Sequence, residues 1–366
     1  MEDLKEILKI AKFLVDYPSV SSDKETCKKL LDDIAKMMPK NLFIKKYDFN
    51  GHGTLAITNT NDNNIDIAFC GHIDVVPCDE YKYVEDEKNI YGRGTIDMKG
   101  AVSVLIHLFK NLNTDKKVAL FITSDEEIDG NCAKEISNIY PNIKLVVIPD
   151  AGKDFTLITE QKGLLQLKLS VKTKSSHASR PYDGINAIEK LYDCYKSLIK
   201  KYNLPKNEDD YKTSIVLSKL IGGEALNQIP DYAEMYLDIR YTSDDKTNDI
   251  IKAIKKINSD INVEVITEGP VFKTNEKNSN IKTYIKICET VLNKKIEIKK
   301  IESTSDGIYF SEKNIPTVLM NPSGNYPHCP NEFAVKDSLL NLYKIYNKLI
   351  KEGEIKWQIV YTQLEN

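Results

Sequence analysis

Arginine is nearly missing from this chain: Arg93, Arg180 and Arg240 stand alone among 51 basic residues. Lysine serves solubility well but lacks the planar fork that grips a carboxylate through two parallel hydrogen bonds. A chain that uses lysine almost everywhere is expected to keep arginine where that fork is needed. Cysteine is also uninformative as a framework. The seven cysteines (27, 70, 78, 132, 194, 288 and 329) are odd in number and form no CxxC pair. Reduced thiols in a cytoplasm are the simplest reading. Cys70, Cys78 and Cys329 lie near candidate ligands, yet a free cysteine is commonly a small buried hydrophobe. No apolar run approaches the ~20 residues needed to span a bilayer. The start, Met1-Glu2-Asp3-Leu4-Lys5, does not read as a signal peptide, so a cytoplasmic protein without a membrane partner is expected. Charge of one sign is lacking too. With 51 basic and 54 acidic residues the net charge is −3, which excludes a general electrostatic footprint for nucleic acid. No internal repeat and no low-complexity segment occurs.

What is present is ample material for two domains: 366 residues, 41% hydrophobic and 29% charged. An amphipathic helix is expected over 3–15. A second opens on a capping box of Ser22 and Glu25 and stops before Pro39. Strands at 42–48, 54–58 and 65–70 follow. The turn Tyr91-Gly92-Arg93-Gly94 leads through Asp97 to a helix over 99–112. A strand at 118–123, a helix near 131–139 and a strand at 144–148 continue an α/β layer with a largely parallel sheet. The pattern then changes. Strands at 164–173, 214–221, 233–241 and 262–267 and helices at 184–201 and 244–258 run in the order β-α-β-β-α-β, a ferredoxin-like motif. From about 270 the α/β pattern resumes: helix 279–293, strand 295–301, a turn at Ser305-Asp306-Gly307, strand 315–320 and helix 335–350. The division is therefore a discontinuous first domain, 1–162 with 270–366, carrying an inserted domain at 163–269. The alternating run 355–361 suggests a further edge strand.

Chemistry-bearing residues fall where strands end. His72 and Asp74 follow the apolar run Ile65–Cys70, Glu126 and Glu127 follow Val118–Thr123, and Asp150 follows Leu145–Ile148. In open α/β sheets the carboxyl ends of strands line the ligand crevice. Imidazole and carboxylate suit Zn²⁺, with Co²⁺ or Mn²⁺ as substitutes. Singly, each motif has a plain alternative: HxD is often structural, Asp125-Glu126-Glu127 reads as a solvated acidic loop, and Asp97 and Asp150 read as helix N-caps. Several such strand ends in one sheet point to a binuclear metal hydrolase.

The wording around these residues strengthens that reading. Gly71-His72-Ile73-Asp74-Val75-Val76-Pro77, Gly92-Arg93-Gly94-Thr95-Ile96-Asp97-Met98-Lys99-Gly100 and Ser124-Asp125-Glu126-Glu127 resemble the signatures of the M20 metallopeptidase/deacylase family. The likeness continues through Ser176-His177-Ala178-Ser179, Asn186-Ala187-Ile188, Asn227-Gln228-Ile229-Pro230, Asp238-Ile239-Arg240, Thr304-Ser305-Asp306-Gly307 and His328. That family includes succinyl-diaminopimelate desuccinylase, acetylornithine deacetylase, aminoacylases and several dipeptidases. The resemblance implies two zinc ions per subunit. Asp97 would bridge them, His72 and Asp150 would complete one site, and Glu127 and His328 the other. Asp74 would accept the second ring N–H of His72. Glu126 would be the general base. His177 on the inserted domain would reach the active site of a partner subunit, so a homodimer through that domain is implied. Asn227 would be a second polar contact, Arg240 would bind the substrate carboxylate, and Ser305 and Gly307 would touch substrate. Arg93 and Arg180 read as structural anchors, and His107, in an apolar helix, as a core histidine.

The activity so implied is removal of an acyl group from a small carboxylate-bearing N-acyl amino acid. A dipeptidase with the same chemistry is the second reading. Asp150 leans toward it, since the desuccinylase and acetylornithine deacetylase branches usually carry Glu there; the compact insertion leans toward the deacylases. A non-catalytic metal-binding assembly subunit is the third, and the spare carboxylate of Glu126 argues against it.

Overall fold

The computed structural model describes residues 2–207 and 210–357. They fall into two compact units. One comprises residues 1–159, 274–299 and 305–366, and the other 160–273 and 300–304.

The first unit is organised by a mixed sheet. Seven of the sheet's nine strands lie in the order Phe43–Phe49, His52–Thr58, Val118–Thr123, Ile67–His72, Val146–Ile148, Thr317–Leu319 and Leu157–Gln161. The middle of the sheet, from Val118–Thr123 to Thr317–Leu319, is parallel. The two outer strands on one side and Leu157–Gln161 on the other are antiparallel to their neighbours. The central strands are fully buried and, apart from the terminal His72 and Thr123, apolar, as strands covered on both faces must be. The pleat sends alternate side chains to opposite faces. Phe69 packs on Tyr346 of the helix Lys336–Glu352, with ring centroids 4.9 Å apart. On the adjacent strand, Phe121 meets Tyr140 at 5.0 Å and stacks with Phe310. Because Phe69 is in register with Leu120, Phe121 belongs to the other face. The helices Glu2–Val15, Lys99–Lys110 and Lys336–Glu352 pack against one another. His107 is buried there, 2.9 Å from an Asp3 carboxylate oxygen.

The second unit is a four-stranded antiparallel sheet in the order Ser214–Gly222, Tyr232–Tyr241, Gly163–Lys172 and Asn262–Gly269. Numbered along the chain, that is 2-3-1-4, the ferredoxin-like arrangement. Strict alternation in Gly163–Lys172 puts Leu165, Leu167, Leu169 and Val171 on the buried face. They pack with Leu191, Cys194 and Leu198 of helix Ala187–Tyr202 and with Ile250 and Ile254 of helix Thr247–Ile257.

Several local expectations are corrected. The second helix is capped by Asp23, whose carboxylate accepts from the Thr26 amide at 3.1 Å, and not by Ser22. An aspartate at that position takes the helix N–H directly. The turn at Ser305-Asp306-Gly307 opens a short helix, Gly307–Ser311. The strand Leu157–Gln161 was not anticipated, because Thr159, Glu160 and Gln161 break the apolar pattern. Ile355, Lys356 and Trp357 are not in a strand, and the rest of the run 355–361 lies outside the described residues. No helix is long and apolar enough to cross a membrane among the described residues. All seven cysteines are free; Cys27, Cys70, Cys132, Cys194 and Cys288 are buried, and Cys329 is exposed.

Candidate metal centre

The parallel register delivers the candidate ligands to one edge of the sheet. His72 ends its strand opposite Thr123, so Glu126 and Glu127, three and four residues past Thr123, come level with it. Asp150 lies just past Ile148 on the other flank of the same strand. Asp97 sits immediately ahead of helix Lys99–Lys110, and the Asp97–Met98 peptide is cis. His328 arrives from a loop in the left-handed conformation, with φ +63°.

Two groups result. His72, Asp97 and Asp150 form one, and Asp97, Glu127 and His328 the other, with the candidate donor atoms of each group within 4.8 Å of one another. Asp97 belongs to both. Its Oδ1 lies 3.2 Å from His72 Nε2, and its Oδ2 lies 3.1 Å from His328 Nε2. Each carboxylate oxygen thus faces a different imidazole. His328 Nε2 is also 3.0 Å from Glu127. Glu126 is in neither group, yet its carboxylate stands 3.9 Å from His72 Nε2.

Asp74 does more than the expected role, and it meets His72 chiefly through its backbone. The Nδ1 of His72 meets the Asp74 backbone carbonyl at 2.9 Å, while the Asp74 carboxylate is 3.5 Å away. That fully buried carboxylate accepts from the Ser21 hydroxyl at 2.7 Å and from the backbone amides of Glu126 and Glu127 at 3.3 and 3.2 Å. Asp74 therefore anchors the acidic turn as well as orienting the histidine. With Nδ1 facing a carbonyl, Nε2 is the ring nitrogen turned toward Asp97.

The electrostatics are those of crowded like charges. Burial, and then the neighbouring Asp97, push the Asp150 carboxyl up to about 7. Burial, reinforced by the charges of Asp150, Asp306 and Asp97 against the opposing pull of His72, raises Glu126 well above the carboxylate range. Asp97 goes the other way. Burial opposes its ionisation, but hydrogen bonds from His328 and His72 outweigh it and hold the carboxyl below its ordinary value. Donating to the carboxylates of Asp97 and Glu127 lifts His328 to about 10. Two imidazoles gathered among this many carboxylates form a donor set that a divalent cation fits. Nitrogen and oxygen donors of this kind match Zn²⁺, Co²⁺ or Mn²⁺, and a cation would relieve the repulsion that the protein alone leaves.

Other candidate residues have different surroundings. Ser305 is buried, and Gly307 is packed so that a Cβ would come within 2.8 Å of Leu319, which accounts for glycine by close approach. Three residues not singled out from the sequence also belong to this region. Asp306 is buried and takes the Thr123 hydroxyl at 3.2 Å. Asn321 donates to the Ile96 carbonyl at 3.3 Å and, through its backbone, to the Ala151 carbonyl at 3.0 Å, tying the Asp97 and Asp150 turns together. Glu332 is fully buried behind Asp97.

In the second unit His177 and Asn227 are neighbours. Ser176–His177 pairs with Gln228–Ile229, and the Ala178 amide donates to the Asn227 carbonyl at 2.9 Å. Both side chains are exposed, and His177 Nδ1 is 2.8 Å from the Ser179 hydroxyl. Arg240 lies on the same unit's sheet, its guanidinium held by Asp238 through Nε at 2.9 Å and Nη2 at 3.4 Å. A carboxylate arriving at Arg240 must compete with that pair.

The model of peptidase family M20/M25/M40 matches residues 68–352. A [LysW]-lysine/[LysW]-ornithine hydrolase from Saccharolobus solfataricus is 29% identical over 222 residues, covering 60% of this chain and 61% of that protein. A protein of the same description from Sulfurisphaera tokodaii is 26% identical over 279 residues, 75% of each chain. Among solved structures, the aminopeptidase PepT from Bacillus cereus aligns with a TM-score of 0.78 at 20% identity, covering 95% of this chain and 98% of that one. The M20 family metallo-carboxypeptidase Sso-CP2 from Sulfolobus solfataricus aligns at 0.70 with 18% identity, covering 94% and 98%. At these identities the structural likeness establishes the shared fold alone.

Proposed function

Because the chain belongs to peptidase family M20/M25/M40, we propose that it is a metal-dependent amide hydrolase acting on small N-acyl amino acids with a free carboxylate. The observation that carries the reading is Asp97. It turns one oxygen toward each histidine-containing group, with the uncommitted carboxylate of Glu126 beside them. His72, Asp97 and Asp150 would hold one cation, and Asp97, Glu127 and His328 the other. When bound, such cations polarise a carbonyl and lower the pKa of an attacking water. The remaining work falls to side chains. Glu126 takes the water's proton and returns it to the departing amine. Asp74 keeps Glu126 and Glu127 at their posts by holding both amides. Arg240 receives the substrate carboxylate by exchanging its Asp238 partner, and His177 and Asn227 contact the acyl oxygen.

Zinc is the proposed metal and the cytoplasm the proposed compartment. A homodimer through the second unit is supported by its edge strand, Ser214–Gly222, where Val216, Leu220 and Ile221 are 55%, 36% and 45% exposed. Unpaired apolar edges of this kind are usually covered. In such a dimer His177 would serve the partner's site. Mixing Glu126→Gln with His177→Ala protein would then restore activity, because one site in each mixed dimer is intact. No recovery, or a monomer by light scattering, removes this part of the proposal.

The second reading is a dipeptidase, favoured by the aspartate at position 150. Amine release measured by ninhydrin separates the two. The panel holds N-acetyl and N-succinyl amino acids, including derivatives of lysine and ornithine suggested by the relatives' names, alongside dipeptides, each with added Zn²⁺. Release from the acyl amino acids is expected. Release from dipeptides alone moves the assignment to the second reading, and release from none overturns both.

A further inference from the structure

Glu332 is a fully enclosed carboxylate beside the candidate site that the proposed chemistry does not use. It is 0% exposed, although residues 326–331 immediately before it are exposed. One of its oxygens accepts from two successive backbone amides, Ile96 at 3.0 Å and Asp97 at 3.1 Å. The other accepts from Arg93 Nη1 at 2.8 Å. Arg93 in turn donates from Nη2 to the His328 carbonyl at 3.0 Å and from Nη1 to the Cys329 carbonyl at 3.5 Å. The backbone closes the loop, since the Gly92 amide donates to the Glu332 carbonyl at 3.2 Å.

Two of the residues so held are the ones with the least support of their own. Asp97 lies in a turn, outside any strand. His328 is half-exposed and has a positive φ, a conformation that a residue with a Cβ keeps only where its surroundings hold it. A buried ion pair is a weak device for stability, because desolvation offsets most of the attraction. Here the Nε of Arg93 is buried without a hydrogen-bond partner among the described residues, so the pair is not even fully satisfied. Its geometry is better explained by what it fixes: the carboxylate grips the main chain of one candidate ligand, and the guanidinium fork grips that of another. Lysine could not span both acceptors, which gives a reason for arginine in a chain that otherwise avoids it.

Resting on the two-metal reading above, we propose that Arg93 and Glu332 are positioning residues that set the spacing of Asp97 and His328, and so the affinity of the Asp97–Glu127–His328 group for its cation. The partners behind a ligand typically change metal affinity by about 10–100-fold when removed.

The test is calorimetric titration of chelator-treated protein with Co²⁺, with thermal unfolding followed on the same samples. Wild type is expected to take up two equivalents. Glu332→Gln keeps the shape but turns an amide N–H toward Arg93; it should weaken uptake by about 10–100-fold. Arg93→Lys keeps the charge but loses the fork, so it should weaken one equivalent and leave the other within about threefold. Leu342→Ala, a cavity in the same unit's core at a side chain that makes none of this network's hydrogen bonds, is the control. It lowers the unfolding midpoint without altering Co²⁺ affinity. Should Glu332→Gln fail to fold, the split seen with Arg93→Lys decides. Unchanged affinity in Arg93→Lys, or an affinity loss in Leu342→Ala equal to that of the two network variants, overturns the proposal. Failure of wild type to bind Co²⁺ would instead remove the two-metal reading beneath it.

Discussion

The two candidate ligand groups share Asp97 but are built on different principles. His72 and Asp150 are buried and issue from adjacent parallel strands, so their spacing follows from sheet register. His328 leaves a loop, its side chain is 50% exposed, and its backbone is in the left-handed region. Register fixes the first group as a by-product of folding the core. The second depends on contacts made for that purpose by Arg93 and Glu332. One site therefore inherits its precision from the fold, whereas the other has to be tied in place.

The sharpest way to break this comparison is to remove what the groups share. Asp97→Asn is expected to strip both cations and to lower turnover by on the order of 10⁴-fold or more, since several kcal/mol of transition-state stabilisation go with them. Elemental analysis and initial rates on one sample decide it. A variant that keeps both metals would show that Asp97 bridges nothing.

Glu126→Gln probes the carboxylate that belongs to neither group. Turnover should fall by about 10²–10⁴-fold, the usual worth of a general base, with metal content near wild type. Loss of a cation would make Glu126 a ligand and reassign the site.

The groups themselves should part under a chelator. One equivalent is expected to leave quickly, from the Asp97–Glu127–His328 group with its half-exposed histidine, and the other slowly. In stopped-flow measurements with a chromophoric chelator, His328→Ala should lack the fast phase and Asp150→Ala the slow one. The reverse pairing would invert the comparison.

The smallest effect is expected in the second unit. Arg240→Lys should raise KM by about tenfold, the value of one charge-assisted hydrogen bond, for substrates with a free carboxylate. Substrates with that group amidated should be nearly unaffected. Equal losses on both would rule out carboxylate recognition by Arg240.

Legibility in the sequence followed the same division. Strands such as Val118–Thr123 and Gly163–Lys172 are apolar runs or strict alternations, and these periodicities are visible in a string of letters. His72, Glu126, Glu127 and Asp150 could be placed because they follow such runs directly. Asp97 and His328 were grouped with them as strand-end candidates, but no apolar run directly precedes either, and only the family resemblance gave them roles. Glu332 had no signal at all. It stands in Asn331-Glu332 after an exposed stretch and looks like a surface acid; only the fold reveals that it is enclosed. The Asp74 carboxylate was assigned to His72 by what the family resemblance implies. Its bonds to the Glu126 and Glu127 amides connect residues 52 and 53 positions away, beyond the reach of local pattern.

Chain order gives the contacts between Glu332 and Asp97 one more meaning. The Asp97 amide and the Glu332 carboxylate that holds it are 235 residues apart. At the usual pace of about 5–20 residues per second, a ribosome needs roughly 12–50 seconds to travel between them. His72, Asp97 and Asp150 have all been synthesised before the inserted unit begins, whereas His328 and Glu332 follow only after it is complete. During synthesis the first group has its full complement of donors while the second is one histidine short, and Asp97 waits unfastened through the making of an entire second unit.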